Sequence, residues 1–493
     1  MSVRSHKAMS TLTIVLLVSS ITAVRAAPDP LRIVAVAPGS GHSLTGTPVV
    51  MFGGDGDDDS RSVNCDPQGA CTVYGYTIKS FGDSTDFLAV HLTPAGAPDW
   101  VRTYGGTNRD DLLSAVTTND GGALLVGMSS SLFYTALKVF SPSRPPRPLL
   151  VRVDKSGGLQ WAMTIDLYGG DVSQLQFERG VQLADGGFVL VGIYMVGDSP
   201  EAHASGEHDW TWKGATPAVN GKGYCTMAVA RLSADGHVIW LRRYAVPGDN
   251  SAAWSADVSA DGHIRVLGHI TESNHLIWVP LDADGHASDA QVMTDPAVAT
   301  PMLVHSIDGG SMVIGWASAP AGQPGGLFVE RYGAKQDIEW AHGYFYSLPV
   351  ASMDAALDAA GNLCVVGRLN GGNDSRAVAL GLDASGRLAA VATLGESKPT
   401  AFTGVGELPE GKCQLVGDTY DYDAKYADII TLPWDSSTDP DGLATKFTRV
   451  DYSPKLQTVT IMEASADTKS MHLLPASVVT VQSVPLPAVP KKD

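Results

Sequence analysis

The chain has 493 residues, of which 17% are charged and 44% hydrophobic, with 53 glycines, five cysteines and a formal net charge of −18. So acidic a chain repels nucleic acid and anionic lipid, which excludes those partners and keeps the protein soluble. Few charges and many glycines suit short strands and turns rather than long surface helices, and five cysteines are too few for a disulfide scaffold.

Arg4 and Lys7 precede an apolar stretch at residues 12–24, and the small residues Val24 and Ala26 stand just before Ala27. This layout predicts a signal peptide over residues 1–26 and an exported protein, secreted or periplasmic. Its removal takes away Arg4, Lys7 and Arg25 and no acid, so the charge falls from −18 to −21. The apolar stretch is too short to span a bilayer, and no later run approaches the ~20 apolar residues that a spanning helix needs. No membrane insertion is expected.

From residue 51 the chain repeats itself. MFGGDGDDDSRSVNCDPQGACTVYG aligns without a gap on TYGGTNRDDLLSAVTTNDGGALLVG at residues 103–127. An apolar run ending in glycine recurs seven times, at Gly75, Gly127, Gly192, Gly268, Gly315, Gly367 and Gly417, 47 to 76 residues apart. A glycine turn precedes most of these runs, and an alternating strand with a second glycine turn follows. Each unit therefore supplies four short strands, A to D. Such a period is the mark of a propeller blade, because one four-stranded sheet cannot bury both faces until neighbours pack around an axis.

The prediction is an all-β chain: a seven-bladed β-propeller of four-stranded antiparallel blades over residues 27–450. A short C-terminal strand appendage and tail follow over residues 451–493. TPVVMFGG near the N-terminal end reads as a D strand with nothing before it, and would close the last blade beside ADIITLPW. LATKFTRV at residues 443–450 competes for that place. Trp100, Trp161, Trp240 and Trp340 each sit on strand D, where packing between blades is expected. Cys65 and Cys71 face each other across the DPQGA turn and are expected to form a disulfide. The usual ~10 Å between packed sheets argues against a bond between Cys364 and Cys413.

The pattern WxxTYGGxxxDDxxxAVxxxxDGGxxLVG resembles the secreted bacterial β-propeller repeat family. The match is strongest at residues 86–127, good at 149–192 and weaker after Gly268, where the GG and DD letters fade. The resemblance implies a propeller in an exported or cell-surface protein, and implies no particular activity.

Length variation is confined to the connections of one face, with insertions in the B–C connections of blades 2 and 3. Loops that lengthen on a rigid scaffold are where binding usually lives. Exposed aromatics beside carboxylates there would form a stacking platform for sugars or peptides. The candidate ligand contacts are Tyr134, His203, His208, Trp210, Trp212 and Tyr224. Hard oxygen donors on glycine loops suit Ca²⁺, which makes Asp55, Asp57, Asp58 and Asp59 one candidate set and Asp435, Asp439 and Asp441 another. The competing reading of both sets is Asx turns that cap the chain.

No G-x-S-x-G elbow, H-E-x-x-H or P-loop is present, so no catalytic residue is assigned. The sequence favours a binding or scaffolding module for a protein, peptide or glycan ligand. The alternative is a propeller enzyme, either a glycan hydrolase or lyase or a quinoprotein-like oxidoreductase. Convergence of titratable side chains at the channel mouth would distinguish it.

Overall fold

The structure, a computed structural model, describes residues 32–36 and 49–483 except 55, 79–83, 132–145, 167–172, 197–209, 213–223, 260–261, 272, 297, 306–309, 318–323, 334–336, 371–374, 396–397, 421–425, 438, 440–441, 467–471 and 476–478. Among the described residues its named elements are strands, apart from 3-10 turns at Pro409–Gly411 and Leu443–Lys446. Seven antiparallel sheets form the seven blades of a β-propeller. Blades 1 to 6 run over residues 58–105, 110–166, 173–245, 251–295, 298–345 and 350–394. Blade 7 takes Thr400–Leu408, Lys412–Thr419 and Asp428–Asp435, then borrows Val49–Gly53 as its D strand. Val50 lies opposite Thr431, and Phe52 opposite Ile429. Of the two candidate closures, TPVVMFGG is the one used.

The recurring glycine has a local cause. Every inner A strand carries a β-bulge, with the extra residue at Arg61, Leu113, Glu178, Trp254, Met353 and Thr403 and an equivalent irregularity between Ala299 and Met302. The six named residues stand 14 positions before the recurring glycine of their blade. The bulge turns the A-strand backbone toward strand B. A Cβ at Gly75 would sit 1.9 Å from Asp59 O, at Gly192 2.0 Å from Gln176 O, at Gly367 1.9 Å from Ala351 O and at Gly417 2.0 Å from Ala401 O. Only glycine fits there.

A second recurrent contact joins blade to blade. The D-strand tryptophans pack against a glycine in the C–D turn of the following blade, Trp100 on Gly157, Trp161 on Gly236, Trp240 on Gly285 and Trp340 on Gly386. Those glycines have φ between +74° and +89°, so they supply both the turn and the flat surface. Four residues beyond three of these tryptophans, on the same face of the strand, a buried tyrosine donates to the same glycine's carbonyl. Tyr104 bonds Gly157 O at 2.7 Å, Tyr244 bonds Gly285 O at 2.6 Å, and Tyr344 bonds Gly386 O. Between them Arg102 and Arg242 bond Ser156 O and Asp284 O. The expectation of inter-blade packing for the tryptophans is met, with hydrogen bonds added.

The C-terminal appendage is a belt rather than a lobe. Thr448–Asp451, Lys455–Val459, Met462–Ala466, His472–Pro475 and Thr480–Ser483 add a fifth antiparallel strand to blades 5, 4, 3, 2 and 1 in that order. LATKFTRV therefore opens the belt instead of closing the ring. Arg32–Val36 adds a fifth strand to blade 7. Blade 6 has four strands among the described residues. Cys65 and Cys71 are joined by a disulfide across their hairpin, while Cys364 and Cys413 are buried and unbridged.

Gly192→Ala is expected to cost about 3 kcal/mol or more, because the backbone carbonyl it meets cannot move aside. Gly96→Ala, at φ +76° with nothing within 4 Å of the added methyl, should cost only the left-handed penalty of about 1–2 kcal/mol. Urea denaturation of both variants checks the contrast.

Candidate functional site

Strand A begins, and strand B ends, on the face where the long D–A and B–C connections emerge. The GG…DD letters serve structure at this face. Asp58 Oδ2 accepts from Gly54 N at 2.5 Å, and Asp110 Oδ2 accepts from Gly106 N at 2.6 Å. Asp110 also takes the hydroxyls of Ser129 and Ser131. Each motif lies beside a carboxylate on strand C of a neighbouring sheet position. A Cβ at Gly53 would meet Asp428 at 1.9 Å and Asp58 at 3.2 Å, and at Gly105 it would meet Asp86 at 2.2 Å and Asp110 at 2.9 Å. Two acids thus close over one bare glycine, at the seam in blades 7 and 1 and again in blades 1 and 2. Burial pushes the Asp58 carboxyl up to about 7, with the Asp428 charge adding to it, and pushes Asp110 up to about 6.

Between blades 7 and 1 further groups gather at the channel mouth. Asp418, immediately after Gly417, accepts from Ser60 N and Ser60 Oγ, both at 2.7 Å. Burial raises its carboxyl well above the usual carboxylate range, and the neighbouring Asp59 raises it further. Arg61, the bulged residue of blade 1, lies over the Tyr76 ring at 5.3 Å and donates to the Tyr76 hydroxyl at 3.2 Å. Tyr420 stands partly exposed beside this group, its hydroxyl made harder to ionise by partial burial first and then by the charges of Asp57, Asp59 and Asp418. The mouth is therefore acidic, with one arginine stacked on a ring.

The channel is crossed below this cluster. Arg179 of blade 3 reaches the opposite side, donating to Met353 O at 3.3 Å and approaching Asp354 Oδ1 at 3.8 Å, both in blade 6. Asp354 Oδ2 in turn accepts from Val405 N of blade 7 at 3.1 Å. Three blades are thus tied across the axis. A solute at the mouth meets a polar floor rather than an open pore.

On the opposite face, a cleft of about 520 Å³ lies between blades 3 and 4, and one of about 470 Å³ lined by blade 4 shares Ser259 and Ile264 with it. Their arginines are paired within the walls, Arg265 with Asp257 at 2.6 Å and Arg231 with Asp185 at 3.1 Å.

The residues expected from sequence are distributed as follows. Tyr134, His203, His208, Asp55 and Asp441 lie outside the described residues. Trp210–Trp212 forms a strand on the far side of Met462–Ala466, as the sixth strand of blade 3, with Trp210 opposite Ala466. That places the tryptophan segment on the outer rim, away from the axis. Tyr224 opens strand C of blade 3.

The described aspartates of the two proposed calcium sets are engaged by neighbouring groups. Asp57 Oδ1 accepts from Ala427 N at 2.8 Å, Asp58 is bound to Gly54, and Asp59 lies with Tyr76 and Asp418. Asp435 takes Ser437 N and Oγ, and Asp439 takes Leu443 N and Ala444 N. The Asp435 and Asp439 bonds are Asx-type caps, whereas Asp57 bonds across the chain to Ala427 and Asp58 back to Gly54. Among the described residues no three ligating side chains gather.

Asp418, Arg61, Tyr76, Tyr420, Arg179 and Asp354 were not singled out from sequence. For Arg61 and Tyr76 a signal was present: the residue after the recurring glycine and the one 14 before that glycine meet. Trp254 with His269 repeats the relation, Trp254 Nε1 donating to His269 Nδ1 at 2.7 Å.

No protein-family model matches the chain, and no curated protein matches it. Among solved structures it is similar to the acylaminoacyl peptidase of Pyrococcus horikoshii, at 10% identity and a TM-score of 0.42 over 79% of this chain and 54% of that one. It spans about half of that peptidase. It is also similar to Sqt1 of Chaetomium thermophilum bound to the N-terminus of ribosomal protein L10, at 11% identity and a TM-score of 0.36 over 81% of this chain and 99% of that one.

Acids whose folded pKa is raised bind protons more readily folded than unfolded. Their contribution is complete below the unfolded value of 3.8 and is lost as pH rises through the folded value, about 7 for Asp58 and about 6 for Asp110. The melting temperature is therefore expected to fall between pH 5 and pH 8. Asp58→Asn should flatten that slope in calorimetric scans, and an unchanged slope would remove Asp58 from the account.

Proposed function

We propose that this protein is an exported binding module that holds its ligand at the channel mouth, on the face bearing the long connections of blades 2 and 3. The observation that carries this reading is the cluster of Asp59, Arg61, Tyr76, Asp418 and Tyr420 above a channel crossed by Arg179 and Asp354. An acidic depression with exposed phenol and a stacked guanidinium suits a peptide or glycan segment presenting hydroxyl or ammonium groups. The polar floor stops such a segment from threading through. The signal-like N-terminal stretch and the Cys65–Cys71 disulfide support export, since disulfides persist in oxidising compartments.

A second reading, catalysis on a glycan, is favoured by one observation. Asp418 sits beside Asp59 with its carboxyl held protonated far above the ordinary range, as a general acid requires. Against it stands the use of Asp418 in bonding Ser60 across the blade 7 to blade 1 seam.

The test is a glycan and peptide array probed with the mature chain. At least one ligand class should be retained, and Arg61→Ala or Tyr420→Ala should weaken it by about 1–2 kcal/mol, roughly five- to thirtyfold. Retention unaffected by both variants overturns the placement at the mouth. Turnover of a retained glycan, abolished by Asp418→Asn in a folded protein, would replace binding with catalysis.

A further inference from the structure

The residue directly after the bulge is Arg179 in blade 3 and Asp354 in blade 6. Arg179 is held across the axis by weak contacts. Its Nη2 lies 3.1 Å from the Met302 thioether and donates to Met353 O at 3.3 Å, and Nη1 stops 3.8 Å from Asp354 Oδ1. A thioether is a poor acceptor, and 3.8 Å is longer than a hydrogen bond. A guanidinium that is well matched to a carboxylate makes two parallel bonds of about 2.8 Å. The Arg179 side chain is also 32% exposed, so a solute in the channel can reach it.

The carboxyls beside Arg179 are taken up elsewhere. Asp354 Oδ2 accepts from Val405 N at 3.1 Å, and Glu178 accepts from Gln176 Nε2 at 2.6 Å. Burial pushes both carboxyls up, against the pull of Arg179. The guanidinium itself stays charged. The floor of the channel therefore offers a positive group beneath an acidic mouth. Because Arg179 crosses the axis, a chain that goes deep must enter by one of its ends.

We infer that Arg179 receives the C-terminal carboxylate of a peptide that enters the channel end-on. The inference rests on the reading of the mouth as the ligand site, and it names the ligand and the end that reaches the floor. Such a carboxylate exchanges the long contact to Asp354 for paired bonds to Arg179. Hydroxyl or ammonium side chains behind it face Asp59 and Tyr420. The other candidate ends fit less well. A peptide N-terminus carries an ammonium, which Arg179 repels, and Asp354 is already bonded to Val405. A neutral glycan has no charged end. A polyuronate carries a carboxylate on every sugar, which the formal charge of −18 opposes. A peptide brings one carboxylate, at its tip.

The experiment uses the full mature chain and two pools of random hexapeptides, one ending in a free carboxylate and one in a carboxamide. Retained peptides are counted by mass spectrometry. Both pools offer the mouth the same side chains, so the ratio between them reads the floor. The free acids should be retained roughly tenfold or more over the amides, the range of a charge-assisted bond. Arg179→Gln should bring the acids down to the level of the amides. Arg61→Ala should weaken both pools alike and keep the ratio. Asp354→Asn leaves Arg179 in place and removes its competitor, so it should widen the ratio, whereas a merely structural tie would leave the ratio unmoved. Equal retention of acids and amides, both weakened by Arg61→Ala, keeps the mouth as the site and overturns the inference about the floor. Retention of neither pool removes peptides from the mouth, and the inference with them. Loss of retention on N-terminal acetylation, with acids and amides equal, places the ammonium at the floor and overturns the end chosen here. Retention of oligouronates alone overturns the occupant.

Discussion

At one height in the molecule the inner strands bulge, and the carbonyl ahead of each bulge presses on the backbone of the adjacent strand where a side chain would otherwise stand. Six such contacts lie within about 2.4 Å of where a Cβ would be. Strain of that kind would ordinarily be relieved by straightening the strand. Glycine at the facing position removes the need. The bulge in turn sharpens the twist of each narrow sheet and sends an extra side chain toward the axis. Fold and channel lining are thus set by the same local geometry. Arg179 and Asp354, which approach each other across the axis, directly follow the bulged residues Glu178 and Met353.

Around this hub the blades are fastened by contacts that repeat with the chain. A D-strand tryptophan lies on the next C–D turn, a tyrosine bonds the same turn, and in two blades an arginine bonds between them. The buried sides of the sheets are otherwise apolar, with small residues prominent in the shared core of blades 6 and 7, where Ala377, Ala379, Ala390 and Ala392 meet Phe402 and Leu415. Such a core brings neighbouring sheets close but offers little directional information. The hydrogen-bonded turns supply it, fixing the height of each blade against the next.

Much of the architecture was legible because its cause is local and recurs. The glycine spacing counts the blades, and TPVVMFGG is recognisable as a D strand without predecessors. The Cys65–Cys71 pair follows from a hairpin of known length. The belt was not legible, since TRVD, KLQTV and TVQS are too short to distinguish from loop, and their partners lie up to hundreds of residues away. Of the acidic letters, only Asp59 stands in the cluster at the mouth. Asp57, Asp58, Asp435 and Asp439 bond backbone amides, whereas the groups that converge at the mouth come from positions defined only once the bulge is known. Arg179 and Asp354 meet across the axis through a relation between blades 3 and 6 that no spacing along the chain encodes.

The seam joins Val49–Gly53, among the earliest residues of the ring to be synthesised, to Asp428–Asp435, which come almost last. A chain emerging from a ribosome or a translocon holds an orphan strand until nearly all seven sheets exist. Closure is consequently a late, long-range event of the kind that loop entropy makes slow. The outer strands then run backward over sheets already built, from blade 5 to blade 1, so the polypeptide winds once forward as a wheel and returns along its own tyre.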